Sequence, residues 1–329
     1  MADERFLVTG GTGCIGSWVV RALVHEGVPV TVFASSGRVD RLRLILSPAE
    51  LAVVSVVQGD VTDVDALERI ARGARVTSVV HLAALQLPLC AADPINGARV
   101  NVQGTAAMFE LVRRLELGRL VYASSAAVYG PATTYPAEVV GPDAPLAPTS
   151  HYGVFKMANE GAARVYADAW GIASIGLRPH SAYGPGRDQG VTSKPTLAMI
   201  AAAGGRPFHV DFDGSYQFQF VEDVAAAFVA AARSDRPGAQ VFSIGGPRIA
   251  VGEMVRLIED IEPSARGRIT HGDRILPFPA AFDGAPLEAA LGRQPLTPVA
   301  EGVRRTIETY RAALGDGRLG TEYLDRVLG

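Results

Sequence analysis

Tyr152 and Lys156 stand four apart in "HYGVFK", a spacing that puts a phenol and an ammonium on one face of a helix. A phenol with an ordinary pKa of about 10 is a poor base near neutrality, and a neighbouring positive charge favours its phenolate. Such a pair can take or give a proton at a reacting hydroxyl. A helix surface also offers this spacing by chance, so a second element has to give it direction. In "VYASSAAVYG", residues 120–124 read as a strand with Ser124 and Ser125 at its carboxyl end, the edge where ligands sit in open α/β sheets. Ser125 could there hydrogen-bond a reacting carbonyl or hydroxyl; the other reading of the serine pair is the capping of a turn or helix.

Near the start, "GGTGCIG" satisfies two patterns, because Gly11, Gly13 and Gly16 fit GxGxxG while Gly10, Gly13 and Gly16 fit GxxGxxG. Glycines let a backbone turn tightly and approach a pyrophosphate, whose charge suits the N-terminus of the helix that follows. A nicotinamide dinucleotide is therefore expected. After the second strand a carboxylate would bind the ribose hydroxyl of NAD and repel the extra phosphate of NADP, but Ala34 stands there. Ser35 and Arg38 follow, a hydroxyl and a guanidinium able to take a phosphate through charge-assisted hydrogen bonds. The expectation is NADP. The alternative is NAD bound without its carboxylate clamp, with Arg38, Arg41 and Arg43 on a solvated helix face.

These groups need a scaffold. Short β-branched runs at 6–9, 28–33, 53–58, 78–83, 120–124, 173–177 and 241–244 read as strands, apolar on both faces as buried parallel strands are. Helical spacing recurs at 17–26, 64–72, 94–116 and 151–170, with Asp63 at an N-cap position. The order predicts an α/β fold, a Rossmann-type doubly wound parallel sheet. From Pro179 onward Gly, Pro and aromatic residues crowd the chain between helices at 194–203, 221–234 and 251–261. The expected division is a dinucleotide-binding domain over 1–178, to which strand 241–244 returns, and a smaller C-terminal substrate-binding lobe over 179–329. A last helix at 298–314 carries Val299, Val303, Ile307 and Tyr310 on one face.

The whole chain allows this reading. Its 329 residues are 48% hydrophobic and 20% charged with a formal net charge of -3, an ordinary globular balance that gives no reason to expect nucleic acid or membrane as a partner. The opening "MADERFLVTGG" passes from charged residues straight into a strand, so a cytoplasmic location is expected. Two cysteines, Cys14 and Cys90, make neither a disulfide framework nor a metal-ligand set, and no metal is expected.

Together these residues resemble the extended short-chain dehydrogenase/reductases, the NAD-dependent epimerase/dehydratase family. The resemblance covers nearly the whole chain, through "TGGTGCIG", "QGDVTD", "VVHLAA", "NVQGT", "SSAAVYG", "YGVFK" and "LRPHSAYGPG" in the family's order. It implies that Gly10, Gly13, Cys14, Ile15 and Gly16 form the pyrophosphate loop, that Asp60 and Val61 contact adenine, and that Leu82, Ala83, Ala84 and Ser124 wall the ribose and nicotinamide. It makes Tyr152 the catalytic base or acid, Lys156 the group that lowers its pKa and binds the nicotinamide ribose, and Ser125 the polarising hydroxyl. Pro179 and His180 would face the carboxamide. Asn101 matches the family's helix asparagine, as a proton relay or as a buried structural amide.

Two departures bear on the reaction. Sugar-nucleotide dehydratases resembling this chain carry an acidic pair where Ala126 and Ala127 stand, so dehydration is not expected. The asparagine and two arginines with which epimerases of the family hold a substrate diphosphate match Ser181, Tyr216 and Thr270. The expected enzyme is accordingly an NAD(P)-dependent oxidoreductase acting on a secondary alcohol or ketone of a small substrate without a nucleotide handle, such as a polyol, sugar or hydroxy acid. The alternative is a sugar or nucleotide-sugar epimerase that retains NAD, and a third reading is a non-catalytic NADP sensor. Arg187 and Arg274 read as surface residues or anion contacts. Helices 94–116 and 151–170 correspond to those that pair across the family's dimer, so a homodimer is expected.

Overall fold

The computed structural model describes residues 4–329. Its central sheet has seven strands in the order Ala239–Ser243, Ala173–Arg178, Arg119–Ala123, Ser78–His81, Phe6–Thr9, Val30–Ala34, Ser55–Gln58. Every pairing among them is parallel, which confirms the doubly wound α/β fold. "FLVT" and "VTVFA" are buried along their whole length, since helices cover both faces. All seven runs read from sequence become strands, with ends shifted by up to two residues, and the strand from beyond residue 178 does join the sheet edge beside Ala173–Arg178.

The order reverses between Phe6–Thr9 and Ser78–His81, which opens a crevice at their carboxyl ends. The two strands are tied there by Thr9 Oγ1 and His81 Nδ1 at 2.7 Å, with His81 Nε2 3.1 Å from Thr105 Oγ1. Burial pushes the His81 imidazole down to about 3, so the ring is neutral.

The helix expected over 94–116 is divided. Pro94–Ala98 runs into a π-helical turn, Arg99–Gln103, before Gly104–Arg114 resumes. The turn aims Asn101 inward, where its Oδ1 accepts from Leu85 N (2.7 Å) and its Nδ2 donates to Leu85 O (2.9 Å). Asn101 is buried, and these two bonds pin the backbone after the strand Ser78–His81. Asp63 does cap Val64–Gly73, accepting from Ala66 N at 2.9 Å.

Beyond Pro179 the chain builds small sheets. Arg248–Ala250, Ser215–Phe220 and Ser181–Tyr183 form one, and Phe208–Val210 with Ile269–His271 another. Tyr183, Phe212, Phe218 and Phe220 are buried in a second core between these sheets and the helices Lys194–Ala203 and Val251–Ile261. Val303, Ile307 and Tyr310 dock the helix Val299–Gly315 by the face expected.

Candidate active site

The glycine loop, the serine turn and the helix His151–Trp170 face one cleft at the carboxyl ends of the central strands. Ser150 caps that helix by accepting from Gly153 N (3.1 Å), which sets Tyr152 in the first turn. Gly153 lets the helix lie against the turn Ala126–Val128: a Cβ there would stand 2.1 Å from the Ala127 carbonyl oxygen and 2.8 Å from Pro148 Cβ. Tyr152 thereby reaches Ser125. The Ser125 hydroxyl accepts from Ala127 N (3.1 Å), so it caps the turn, and it borders the cleft together with the Tyr152 phenol.

Lys156 is 2% exposed, donates from Nζ to the Ala123 carbonyl (2.7 Å) and lies 5.6 Å from the centre of the Tyr152 ring. Burial pulls its ammonium down to about 8, against the opposing pull of Cys90 and Glu160. Burial pushes the Tyr152 phenol up, while the nearby Ser125 hydroxyl and the Arg187 charge draw it back. The arrangement holds a proton donor and acceptor beside a cation that is itself easily titrated.

The glycine loop closes on itself through Gly13 N to Gly10 O (2.8 Å) and leads into the helix Cys14–His25. Gly10 has φ +69°, and a Cβ on it would stand 2.6 Å from Ala83 N; one on Gly16 would stand 2.2 Å from Gly10 O. This is a cradle that any side chain would fill, with free backbone N–H groups at a helix start, and it fits a pyrophosphate. Gly16→Ala forces the loop apart. We expect it to weaken dinucleotide binding by about ten- to a hundredfold, as overpacking by about 1–3 kcal/mol implies, read by calorimetric titration. Cys14 beside it is no nucleophile, since burial pushes its thiol up to about 11.

Gly10, Gly13, Cys14, Ile15, Gly16, Leu82 and Ala84 border the cleft together with Ser124, Ser125, Tyr152, Lys156, Pro179 and His180. His180 is neutral there, its pKa lowered by burial, with Nδ1 3.0 Å from the Gln217 carbonyl. Ala83 backs the glycine loop. Ser35, Arg38, Asp60 and Val61 lie outside this lining. Asp60 is held by Arg99 (2.6 Å) and by Thr62, whose backbone N–H keeps its carboxyl below the usual range, and Val61 is packed against Gly104. Ser35 is exposed, and Arg38, 65% exposed, is already paired with Asp40 at 2.8 Å. The guanidinium expected to take a phosphate is thus paired with a carboxylate two residues on, and the structure gives the NADP preference no support. Nor do the three arginines share a solvated face: Arg41 bonds Asp188 (2.5 Å) and reaches the Thr12 carbonyl (3.4 Å).

Several cleft residues escape a sequence reading. Glu160 and Arg178 form a bidentate pair under the floor, Nε to Oε1 at 2.7 Å and Nη2 to Oε2 at 2.6 Å, at 1% and 8% exposure. Ser124 Oγ donates to the same carboxylate (2.5 Å), and Arg178 Nη1 donates to Tyr129 Oη (2.7 Å). Tyr152, Lys156 and Glu160 recur every fourth residue, a legible signal that the acid shares the buried face. Arg187, read as a surface residue or anion contact, borders the cleft, as do Phe278 and Phe282 from distant loops. Arg274 is engaged by Asp211 at 2.9 Å. Of the three diphosphate positions, Ser181 borders the cleft, Tyr216 Oη is locked between Leu276 N (2.8 Å) and Asp213 O (3.0 Å), and Thr270 Oγ1 faces His209 (2.9 Å).

The pattern of the NAD dependent epimerase/dehydratase family matches residues 6–245. UDP-glucose 4-epimerase from Mycolicibacterium smegmatis is 30% identical over 93% of this chain and 98% of that protein. UDP-glucose 4-epimerase from Azospirillum brasilense is 31% identical over 79% and 78% of the two chains. Among solved structures, UDP-glucose 4-epimerase from Thermus thermophilus in complex with NAD superposes with a TM-score of 0.78 at 25% identity, covering 94% of this chain and 100% of that one.

Proposed function

The chain belongs to the NAD-dependent epimerase/dehydratase family of extended short-chain dehydrogenase/reductase enzymes, and from that premise we propose an NAD-retaining epimerase that inverts a secondary hydroxyl of a sugar or nucleotide sugar. The observation that carries the reading is the convergence of Tyr152, Lys156 and Ser125 with the glycine cradle in one cleft. NAD, when bound, supplies a reversible hydride store. Gly10, Gly13 and Gly16 would hold its pyrophosphate, and Leu82, Ala84, Pro179 and His180 would bound the nicotinamide end. Tyr152 Oη takes the hydroxyl proton and returns it, Ser125 orients the reacting oxygen, and the Lys156 ammonium favours the phenolate. Ala126 and Ala127 border the same cleft without a proton to exchange, so the dehydratase branch of the family is not proposed.

One observation favours a second reading. Tyr216 and Thr270 are committed to protein partners at positions where a diphosphate would need arginines, and Phe278, Phe282, Leu87 and Val191 make part of the lining apolar. These suit a dehydrogenase that exchanges its cofactor and takes a substrate without a nucleotide. Acid release from the purified protein separates the two. The epimerase reading expects stoichiometric NAD to come off and UDP-glucose and UDP-galactose to interconvert; protein free of nucleotide that reduces ketones would replace it with the dehydrogenase. Arg38→Ala is expected to leave both NAD and NADP affinity within about twofold, since exposed ion pairs contribute little; a tenfold loss of NADP binding with NAD unchanged would restore the phosphate clamp.

The proposal extends to organisation. Residues 1–178 with the strand Ala239–Ser243 serve the dinucleotide, and the rest of 179–329 closes the substrate side. The exposed Ile95, Val154, Val165 and Trp170 on the helices Pro94–Ala98 and His151–Trp170 suit a homodimer. No helix among the described residues is long and apolar enough to cross a membrane, and we place the enzyme in the cytoplasm.

A further inference from the structure

We propose that Arg187 binds an oxyanion of a ligand in the cleft, either the pyrophosphate of the dinucleotide or an anionic group of the substrate; the assignment rests on reading the cleft as a cofactor and sugar site. The segment carrying Arg187 crosses the glycine loop and is fixed on both sides. Trp18 Nε1 donates to Pro185 O (2.9 Å), and Gly186 N donates to Tyr310 Oη (2.9 Å). On the other side Asp188 holds Arg41, which reaches back to the Thr12 carbonyl. Gly190, at φ +100°, leaves the room that the guanidinium occupies: a Cβ there would stand 3.1 Å from Arg187 Nη2 and 2.6 Å from Gln86 Oε1.

The guanidinium so placed is under-used. Its Nη2 donates to Thr192 Oγ1 (3.3 Å), its Nε is buried without a partner, and among the described residues no carboxylate pairs with it. The neighbouring carboxylate is spent, because Asp188 Oδ1 takes Arg41 (2.5 Å) and Oδ2 takes Tyr323 Oη (3.3 Å). An arginine has five donors in a planar fork, and this half-buried one leaves most of them open at the cleft wall, with Nε shut away from water and unpaired. The charge acts on two groups: it draws the Cys14 thiol and the Tyr152 phenol down against the effect of their burial. Arg187 lines the same cleft as the pyrophosphate loop and the proton-transfer pair, where an oxyanion would complete its fork.

The test is calorimetric, on full-length protein stripped of nucleotide. Wild type, Arg187→Gln and Arg187→Lys are titrated with NAD and with adenosine, and then, saturated with NAD, with UDP, glucuronate and glucose. A loss of about ten- to a hundredfold for NAD in Arg187→Gln, with adenosine unchanged, identifies the dinucleotide pyrophosphate as the oxyanion. The same loss for UDP or glucuronate, with NAD and glucose unchanged, identifies the substrate's anion. In either case Arg187→Lys should recover part of the affinity, since it returns the charge without the fork. Equal binding by wild type and Arg187→Gln, or equal losses for the neutral probes adenosine and glucose, overturns the assignment. A wild type that binds none of the probes overturns the cofactor reading along with it.

Discussion

Tyr152→Phe lowers turnover by about 10²–10⁴-fold, the range typical of removing a positioned acid–base group, while NAD affinity and melting temperature stay near those of the wild type. The ring remains in place; only the hydroxyl that faces Ser125 is lost. The pH profile supplies the second half of this prediction. The Tyr152 phenol lies above its ordinary value and Lys156 is drawn down to about 8, so the pair must lose one proton before a phenolate can stand beside the ammonium. The wild-type kcat/KM for the step that takes up the hydroxyl proton should consequently rise with pH to about 8 and level off above it. Unchanged turnover in Tyr152→Phe would remove the phenol from the chemistry.

Glu160→Gln should destabilise the protein by about 3–5 kcal/mol, because it leaves the buried Arg178 without its counter-charge. The loss is a property of breaking the pair rather than a measure of what the pair contributes. Replacing both partners by apolar residues of similar volume, Glu160→Leu with Arg178→Met, should recover most of the stability. Activity should not follow it back. Glu160 also accepts the Ser124 hydroxyl and lies one turn beyond Lys156, so the double variant leaves the floor of the cleft without its hydrogen bonds. Chemical denaturation of the three proteins, with NAD titrations beside it, separates these effects. A Glu160→Gln protein as stable as the wild type would mean that water or a local shift compensates Arg178.

Much of this was legible in the chain. Parallel strands buried on both faces have to be short apolar runs, and the seven found in "FLVT" and its successors need no tertiary information. Tyr152, Lys156 and the glycines are equally local, since one helix and one loop set their spacing. The cofactor preference rested on Arg38, and spacing alone did not show that Asp40, two residues on, pairs with it. Arg187 could be read from sequence only as a surface residue or an anion contact, because its direction depends on Trp18, Tyr310 and Asp188, which converge from three parts of the chain. The Glu160–Arg178 pair joins a helix to a strand eighteen residues on, and spacing alone does not say that the two carboxylate oxygens meet the guanidinium fork.

The sheet edge at Ala173–Arg178 is completed only by Ala239–Ser243, with Ser181–Tyr183, Phe208–Val210 and Ser215–Phe220 of the small sheets lying between them in the chain. On a ribosome this ordering imposes a delay. Some sixty residues separate the two strands, so at about 5–20 residues per second the nascent chain exposes an unpaired, apolar strand for roughly 3–12 s. Unpaired edges recruit other strands, and that interval is when this protein most needs a chaperone. A fragment cut at residue 178 would keep that interval open indefinitely, and so should be made as insoluble aggregate rather than as a free dinucleotide-binding unit.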